Sequence, residues 1–382
     1  MTVKAAFVAT LREVFRQPEV TTLIVLAVVL YGFYYPAPYA HQQAQDVPIA
    51  VVDEESTALT RALVRRIDSS EQAAVIAQPA DLAAAQDLLV SREAEAVLLI
   101  PKGMTKAALR GEGPQIALWI DGAYLVRAKS TGNAVEQALR QTLAMEAAPY
   151  VNNLKLPDPI VSIARFNPQT GYASYIFPAV TPVILQQTML FGVTVLLALR
   201  RRKRAGARGL AFADHRELIG SWLAFTLLST IASALYFGWF FVLQAVPGRT
   251  SPLMLGLIAL LLGSAIAAFA CAVGALFRRA ETGLLLLIPS SLPIFFLTGA
   301  TWPREAMPAW VAAIGAIFPA THGSRALLLA DQMGAPFSAV AGPLALLVML
   351  TIAYLALSSC LSVREKRRNR TNGSGPTDDR RL

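Results

Sequence analysis

Apolar stretches long enough to cross a bilayer recur along this chain. Residues 176–199, 222–246, 253–277 and 339–363 are each mostly apolar, over the ~20 residues that a helix needs to cross a hydrocarbon core of about 30 Å. Two stretches are shorter: 20–35, which begins just after Pro18, and 283–299, which carries Pro289 and Pro293. Proline removes a helix hydrogen bond, so the second is expected to bend. The pattern predicts an α-helical membrane protein with six transmembrane helices, the first over 19–35 and five more in a bundle over 175–363. The first stretch ends in YYPAPYAHQQ without a small-residue cleavage site, and reads as a retained span rather than a signal peptide.

The long segment between the first two spans has another rhythm. VPIAVVDEE (47–55), AAVIA (73–77), AVLLIPKG (96–103), QIALWIDG (115–122) and IVSIARF (160–166) read as strands. Helical runs alternate with them. One has Leu59, Leu63 and Ile67 at four-residue spacing behind Ser56 as N-cap, one starts at Asp81 with Leu82, Leu88 and Leu89, and a long one covers 125–146. Residues 36–174 are therefore expected to form an inserted α/β domain.

Two amphipathic stretches complete the pattern. Phe7, Leu11, Val14 and Phe15, with Arg12, Glu13 and Arg16 as polar companions, predict a helix lying flat at the interface within 1–18. From about 304 to 318, Met307, Trp310, Val311, Ile314, Ile317 and Phe318 recur at helical spacing opposite Ala309, Ala312, Ala313, Gly315 and Ala316. Bounded by Pro303, Pro308 and Pro319, this predicts a re-entrant helix within 302–320 that tucks into the outer leaflet. Gly299, Pro303, Met307, Trp310 and Pro319 are its candidate gate residues.

Composition agrees with a bilayer. Of 382 residues 55% are hydrophobic and only 15% charged, with a mean hydropathy of +0.48. The net charge of +9 sits beside the apolar segments: Lys4, Arg12 and Arg16, then Arg200, Arg201, Arg202, Lys203, Arg204 and Arg208, then Arg278 and Arg279, then Arg364, Lys366, Arg367 and Arg368. With six spans all of these fall on one face, and only Arg249 sits in the short loop AVPGRTSP opposite. Both termini are then cytoplasmic, the α/β domain is extracytoplasmic, and 364–382 is a basic, disordered cytoplasmic tail. No basic helix with interleaved aromatics lies outside the spans, which argues against nucleic acid as a partner. Cys271 and Cys360 lie inside apolar runs and read as buried small residues.

The chemistry is one of absences. No G-x-x-x-x-G-K-[ST] phosphate loop occurs, so ATP must be hydrolysed elsewhere. The span cores carry no Asp, Glu, Lys or Arg, which weighs against a proton- or ion-coupled carrier. Gln186 and Gln187 are the polar exceptions, either on a translocation path or in hydrogen bonds between helices. Asp53, Glu54, Glu55 and Asp121 at strand ends read as solvated carboxylates more readily than as a cation site, His41 has no ligand partner, and THGSR (321–325) reads as a loop contact rather than a hydrolase site. No catalytic, cofactor-binding or metal-ligating residue is expected.

RFNPQTGYASYIFPAVTPVILQQTML (165–190), VVDEESTALTRAL (51–63) and FFLTGATWPREAMPAW (295–310) resemble the permease subunits of ABC-2 type exporters, in the subgroup with a large outer domain between spans one and two. Phe295, Phe296, Gly299, Pro303, Met307, Pro308, Trp310, Pro319 and Thr321 fit the family's approach to its sixth span. The chain departs from the family after span two, where RRKRAGARG replaces an acidic, Gly-Thr-containing stretch. Within HRELIGSW (215–222) only Glu217 and Gly220 fit, and Ser221 stands where Lys is common.

The resemblance implies a bacterial inner-membrane export subunit that is not itself an enzyme. ATP and Mg would reside on a separate cytoplasmic ABC ATPase, and a second permease copy or a paralogue would complete the path. A periplasmic membrane-fusion adaptor is left open. Coupling would pass through 200–221, with Phe212, His215, Glu217 and Gly220 as candidates, aided by the flat N-terminal helix and the turn FRRAE (277–281). The alternatives are a non-transporting membrane receptor, scaffold or secretion accessory protein and, in second place, a secondary carrier.

Overall fold

The computed structural model describes residues 1–39, 45–110, 116–120, 125–147, 172–204, 209–302 and 304–371. The chain divides into two units, one of Met1–Pro38 with Ala173–Leu382 and one of Tyr39–Tyr172. His41, Asp121 and the expected strand at 160–166 lie outside the described residues.

The chain begins with α1 (Val3–Arg16), capped by the Thr2 side chain on Ala5 N–H. At Gln17 the backbone becomes extended and the path turns by 93° into α2 (Pro18–Tyr34). Proline suits this first position, because its missing N–H would have no partner there anyway. Helix α1 buries Ala6, Thr10 and Val14, while Phe7 and Leu11 are half-buried and Phe15 is exposed. The stripe of small residues thus faces protein, and the large apolar residues picked out by periodicity sit mostly beside it.

In the second unit β1 (Val47–Asp53) is followed by α3 (Ala58–Asp68), β2 (Ala73–Ala77), α4 (Leu82–Val90), β3 (Ala96–Ile100), α5 (Met104–Leu109), β4 (Ala117–Ile120) and α6 (Leu125–Thr142). The strand order is β2-β1-β3-β4, parallel except for β4. Alternation in β1 divides two apolar layers: Ile49 and Val51 pack with Leu59, Leu63 and Ile67, while Ala50 and Val52 pack with Ala85, Ala94 and Val97. The cap of α3 is Thr57, which exchanges hydrogen bonds with Thr60, and not Ser56, which sits at φ +52 in the left-handed region. Asp53 and Glu55 are occupied locally. Asp53 accepts from the N–H groups of Glu55 and Ser56, and Glu55 accepts from Thr105 N–H and Oγ1 at the start of α5.

The remaining helices are α7 (Tyr172–Lys203), α8 (His215–Leu235), α9 (Pro252–Gly274), α10 (Ala280–Leu287), α11 (Ser291–Leu297), α12 (Ala309–Ala316), α13 (Pro319–Leu327) and α14 (Phe337–Thr371). Helix α8 continues through a π-helical turn to Leu243. Four helices are long and apolar enough to cross a membrane, and up to six if each bent pair counts as one span. The pairs are α1 with α2, and α10 with α11, which meet at 43° around Pro289. Helix α7 is central, with 89% of its apolar window buried, whereas α14 has 22% buried.

The segment after α11 differs from its expected form. The helix anticipated from about 304 to 318 exists only over Ala309–Ala316, preceded by a 3-10 turn at Arg304–Ala306. THGSR, expected as a loop contact, lies in α13, where Thr321, His322, Gly323 and Ser324 are all buried. Gly323 abuts Leu262 of α9, and Ser324 Oγ donates to Ala179 O of α7 at 2.8 Å. Short polar residues here read as loop, because what makes them helical is the bundle they are packed in.

Candidate functional site

At the basic end of α7, two consecutive arginines are buried. Consecutive helical residues point about 100° apart, so Arg200 and Arg201 reach different neighbours.

Arg200, 4% exposed, donates through Nε to Glu13 Oε2 at 2.7 Å, through Nη1 to Ser221 Oγ at 2.9 Å and through Nη2 to Thr10 Oγ1 at 2.7 Å. Glu217 lies 3.9 Å away. Thr10 and Ser221 are themselves 2.9 Å apart, and beside Ser221, Gly220 lets the backbones meet. A Cβ at Gly220 would lie 2.4 Å from Ala6 Cβ and 2.7 Å from Val3 O. Helix α1 is therefore clamped to α8 by close packing and by a charged centre. A buried guanidinium is costly unless every donor is engaged, and here carboxylate and hydroxyl acceptors supply the partners.

Arg201 holds the other side. Its Nη groups donate to Phe277 O, to Ala275 O at 2.8 Å and to Glu365 Oε2 at 3.2 Å, tying the end of α9 and the FRRAE turn to α14. Arg278 also approaches Glu365, at 3.8 Å.

The start of α8 closes the cluster. Asp214 caps it by accepting from Glu217 N–H at 2.8 Å, and that bond holds its carboxyl below the usual carboxylate range. The Glu217 carboxylate accepts from Ala213 N–H and from Arg204 Nη2, both at 2.6 Å. Glu217 is thus buried and engaged internally, Phe212 is in the apolar core, Gly220 lies under α1, and only His215 among the four coupling candidates is exposed.

The two glutamines of α7 are buried and bind broken elements. Gln186 Oε1 accepts from Ala320 N–H, just after Pro319 at the start of α13, at 2.9 Å. Gln187 Nε2 donates to Ser291 Oγ at 2.9 Å, across the break between α10 and α11. Gln186 Nε2 and Gln187 Oε1 have no partner among the described residues.

Of the gate candidates, Gly299 takes φ +89, which L side chains rarely adopt. Met307 N–H donates to Arg304 O at 3.1 Å, closing the 3-10 turn, Trp310 is 69% exposed and Pro319 is buried. Pro303 lies outside the described residues. Gly315 provides the close approach of α12 to α11, since a Cβ there would lie 2.6 Å from Leu297 O.

Sequence reasoning took Arg200 and Arg201 as membrane-flank charges and assigned no role to Thr10, Ser221 or Glu365. No local signal marks them, because the apolar run of α7 passes into buried Arg200 and Arg201 and exposed Arg202 alike.

A family model for ABC-2 family transporter proteins matches residues 20–359, a span that takes in α7, both glutamines, Arg200, Arg201 and Glu217. A search of curated proteins finds no match. With four to six helices able to cross a bilayer and a match over most of its length, the chain is a multi-pass membrane transport protein and belongs to the ABC-2 transporter family.

Proposed function

We propose that this chain is the permease subunit of an ATP-driven exporter, acting as two copies or with a paralogue. A separate cytoplasmic ABC ATPase binds ATP and Mg and drives it. The observation that carries this reading is the charge cluster of buried Arg200 and Glu217 with half-buried Glu13 and Arg204, which links α1, α8 and the central helix α7. A push on the exposed start of α8 at His215 reaches Arg200 through Glu217, and α7 carries it to Gln186 and Gln187.

The one-sided Lys and Arg pattern supports a cytoplasmic site for this cluster and for both termini in a bacterial inner membrane, with the α/β unit outside, where an adaptor would meet it. Gln186 Nε2 and Gln187 Oε1, which have no partner among the described residues, support a polar position on the translocation path, and the break at Gly299 to Pro319 supports an outer gate. In this scheme Glu217 is a positioning residue behind the docking surface rather than the contact itself.

The test is Glu217→Gln in the full permease with its ATPase. The variant should assemble and bind the ATPase as wild type does, yet lose about tenfold or more in transport and in substrate-stimulated hydrolysis, the loss expected when about 1.4 kcal/mol of coupling is removed. Wild-type coupling in a variant that lacks the ion pair to Arg204 would remove the cluster from the mechanism.

A further inference from the structure

Beside Arg201 lies a recess of about 230 Å³, lined by Arg201, Arg278, Arg364, Glu365 and Ser362 together with apolar residues of the adjoining helix ends. We infer that this recess binds the phosphate of an anionic phospholipid headgroup, a ligand that the transport cycle as described does not include. It is smaller than the ~300–1,000 Å³ of ordinary small-molecule pockets, a size for a headgroup rather than a transported substrate.

Three observations converge on an anion. Three arginines line the recess against one carboxylate, and that carboxylate already serves Arg201 and Arg278. Arg201 is 7% exposed, and its Nη groups are engaged by Phe277 O, Ala275 O and Glu365, so it lends the recess charge rather than a free donor. Ser362 spends its hydroxyl proton on Ser358 O, and the arginines supply the donors. Arg278 and Arg364 remain exposed at the rim. Basic pockets between helices on the cytoplasmic side suit lipid headgroups, and a phosphate accepts the planar guanidinium fork.

The surroundings favour a lipid over a free anion. Leu276, 58% exposed, lines the recess beside Arg278, and Val363, 38% exposed, adjoins Arg364. Apolar side chains flanking a basic rim would meet acyl chains below the headgroup. The inference rests on the membrane reading only for placing the recess at the headgroup layer, and it requires neither the ATPase nor transport.

The experiment titrates the full-length chain in dodecyl maltoside micelles with dioctanoyl phosphatidylglycerol, dioctanoyl phosphatidylcholine or inorganic phosphate, reading the rise in Tm. Phosphatidylglycerol should saturate with at least about tenfold tighter apparent affinity than phosphatidylcholine. The double variant Arg278→Ala/Arg364→Ala, altered only at exposed positions, should weaken it about twenty-five-fold, from roughly fivefold for each arginine near a membrane surface. Arg201→Lys, which keeps the charge but loses the fork that holds Phe277 O, Ala275 O and Glu365, should weaken it by less. Inorganic phosphate binding at the same site as tightly as phosphatidylglycerol would support the phosphate chemistry and make the free ion its source. Equal affinity for the two lipids, or unchanged phosphatidylglycerol affinity in the double variant, would overturn the inference. Unchanged lipid affinity with lost ATPase recruitment would do so too, by assigning the recess to the partner protein. Transport can fail in any of these variants without altering the lipid result, so the two readings fall separately.

Discussion

The two ends of α7 are held by different physics. At the basic end, Arg200 and Arg201 gather four helices through buried ion pairs and hydrogen bonds to carbonyls. At the other end Pro178 and Pro182 interrupt the helix ladder, and the neighbours are themselves broken: α11 ends at the Gly299 turn and α13 starts at Pro319. Single hydrogen bonds span these breaks, from Tyr175 Oη to Ala300 O, from Ser324 Oγ to Ala179 O and from Ala320 N–H to Gln186. A charge cluster in a low-dielectric setting is cooperative and resists partial opening, whereas isolated contacts between short elements can be exchanged one at a time. Under the proposed exporter function, the first end suits transmitting displacement and the second suits rearranging under it.

The largest test of this contrast is Arg200→Ala. It strands Glu13, Thr10 and Ser221 around a lost cation, and removing one partner of a buried pair costs about 3–5 kcal/mol. The expected result is a markedly lower Tm in detergent together with early proteolytic release of α1, while the α10–α13 region stays protected. Uniform loss of protection along the chain would erase the distinction between the ends.

Gly315→Leu should act at the far end instead. Its side chain would meet Leu297 O, and overpacking of this kind costs about 1–3 kcal/mol. Helix α12 should shift from α11, and the environment of the exposed Trp310, read by fluorescence quenching in a background with Trp119, Trp222, Trp239 and Trp302 replaced, should change without altering α1 protection. A shift that also frees α1 would mean the two ends are a single rigid body.

The smallest effect sharpens the picture at Gln187. A double-mutant cycle of Gln187→Leu with Ser291→Ala should give a coupling near 0.6 kcal/mol, the average for hydrogen bonds between membrane helices. A coupling several times larger would place the α10–α11 break among the rigid elements.

Some of this was visible in residue order. The four long spans, the alternation of strands and helices over Val47 to Thr142, and the bend at Pro289 each depend on local properties: apolar length, side-chain period and a missing N–H. The locked cluster was not visible, because nothing local distinguishes Arg200 and Arg201 from Arg202, which ends the same helix in the same basic run. Their burial is set by α1 and α14, which arrive from almost 190 residues earlier and more than 160 later.

What the sequence determined by itself was which segments leave water and which breaks interrupt them, since transfer free energy and proline chemistry are properties of the residues. Tertiary structure alone decided which face of each helix is used. It turned Ala6 and Thr10 of α1 toward Gly220 and Ser221, drew THGSR into a buried helix and converted flank charges into a centre that joins α7 to four other helices. In a bundle whose helices are apolar nearly all round, periodicity cannot choose the face. Close approach at small residues and the need to satisfy every buried charge make that choice.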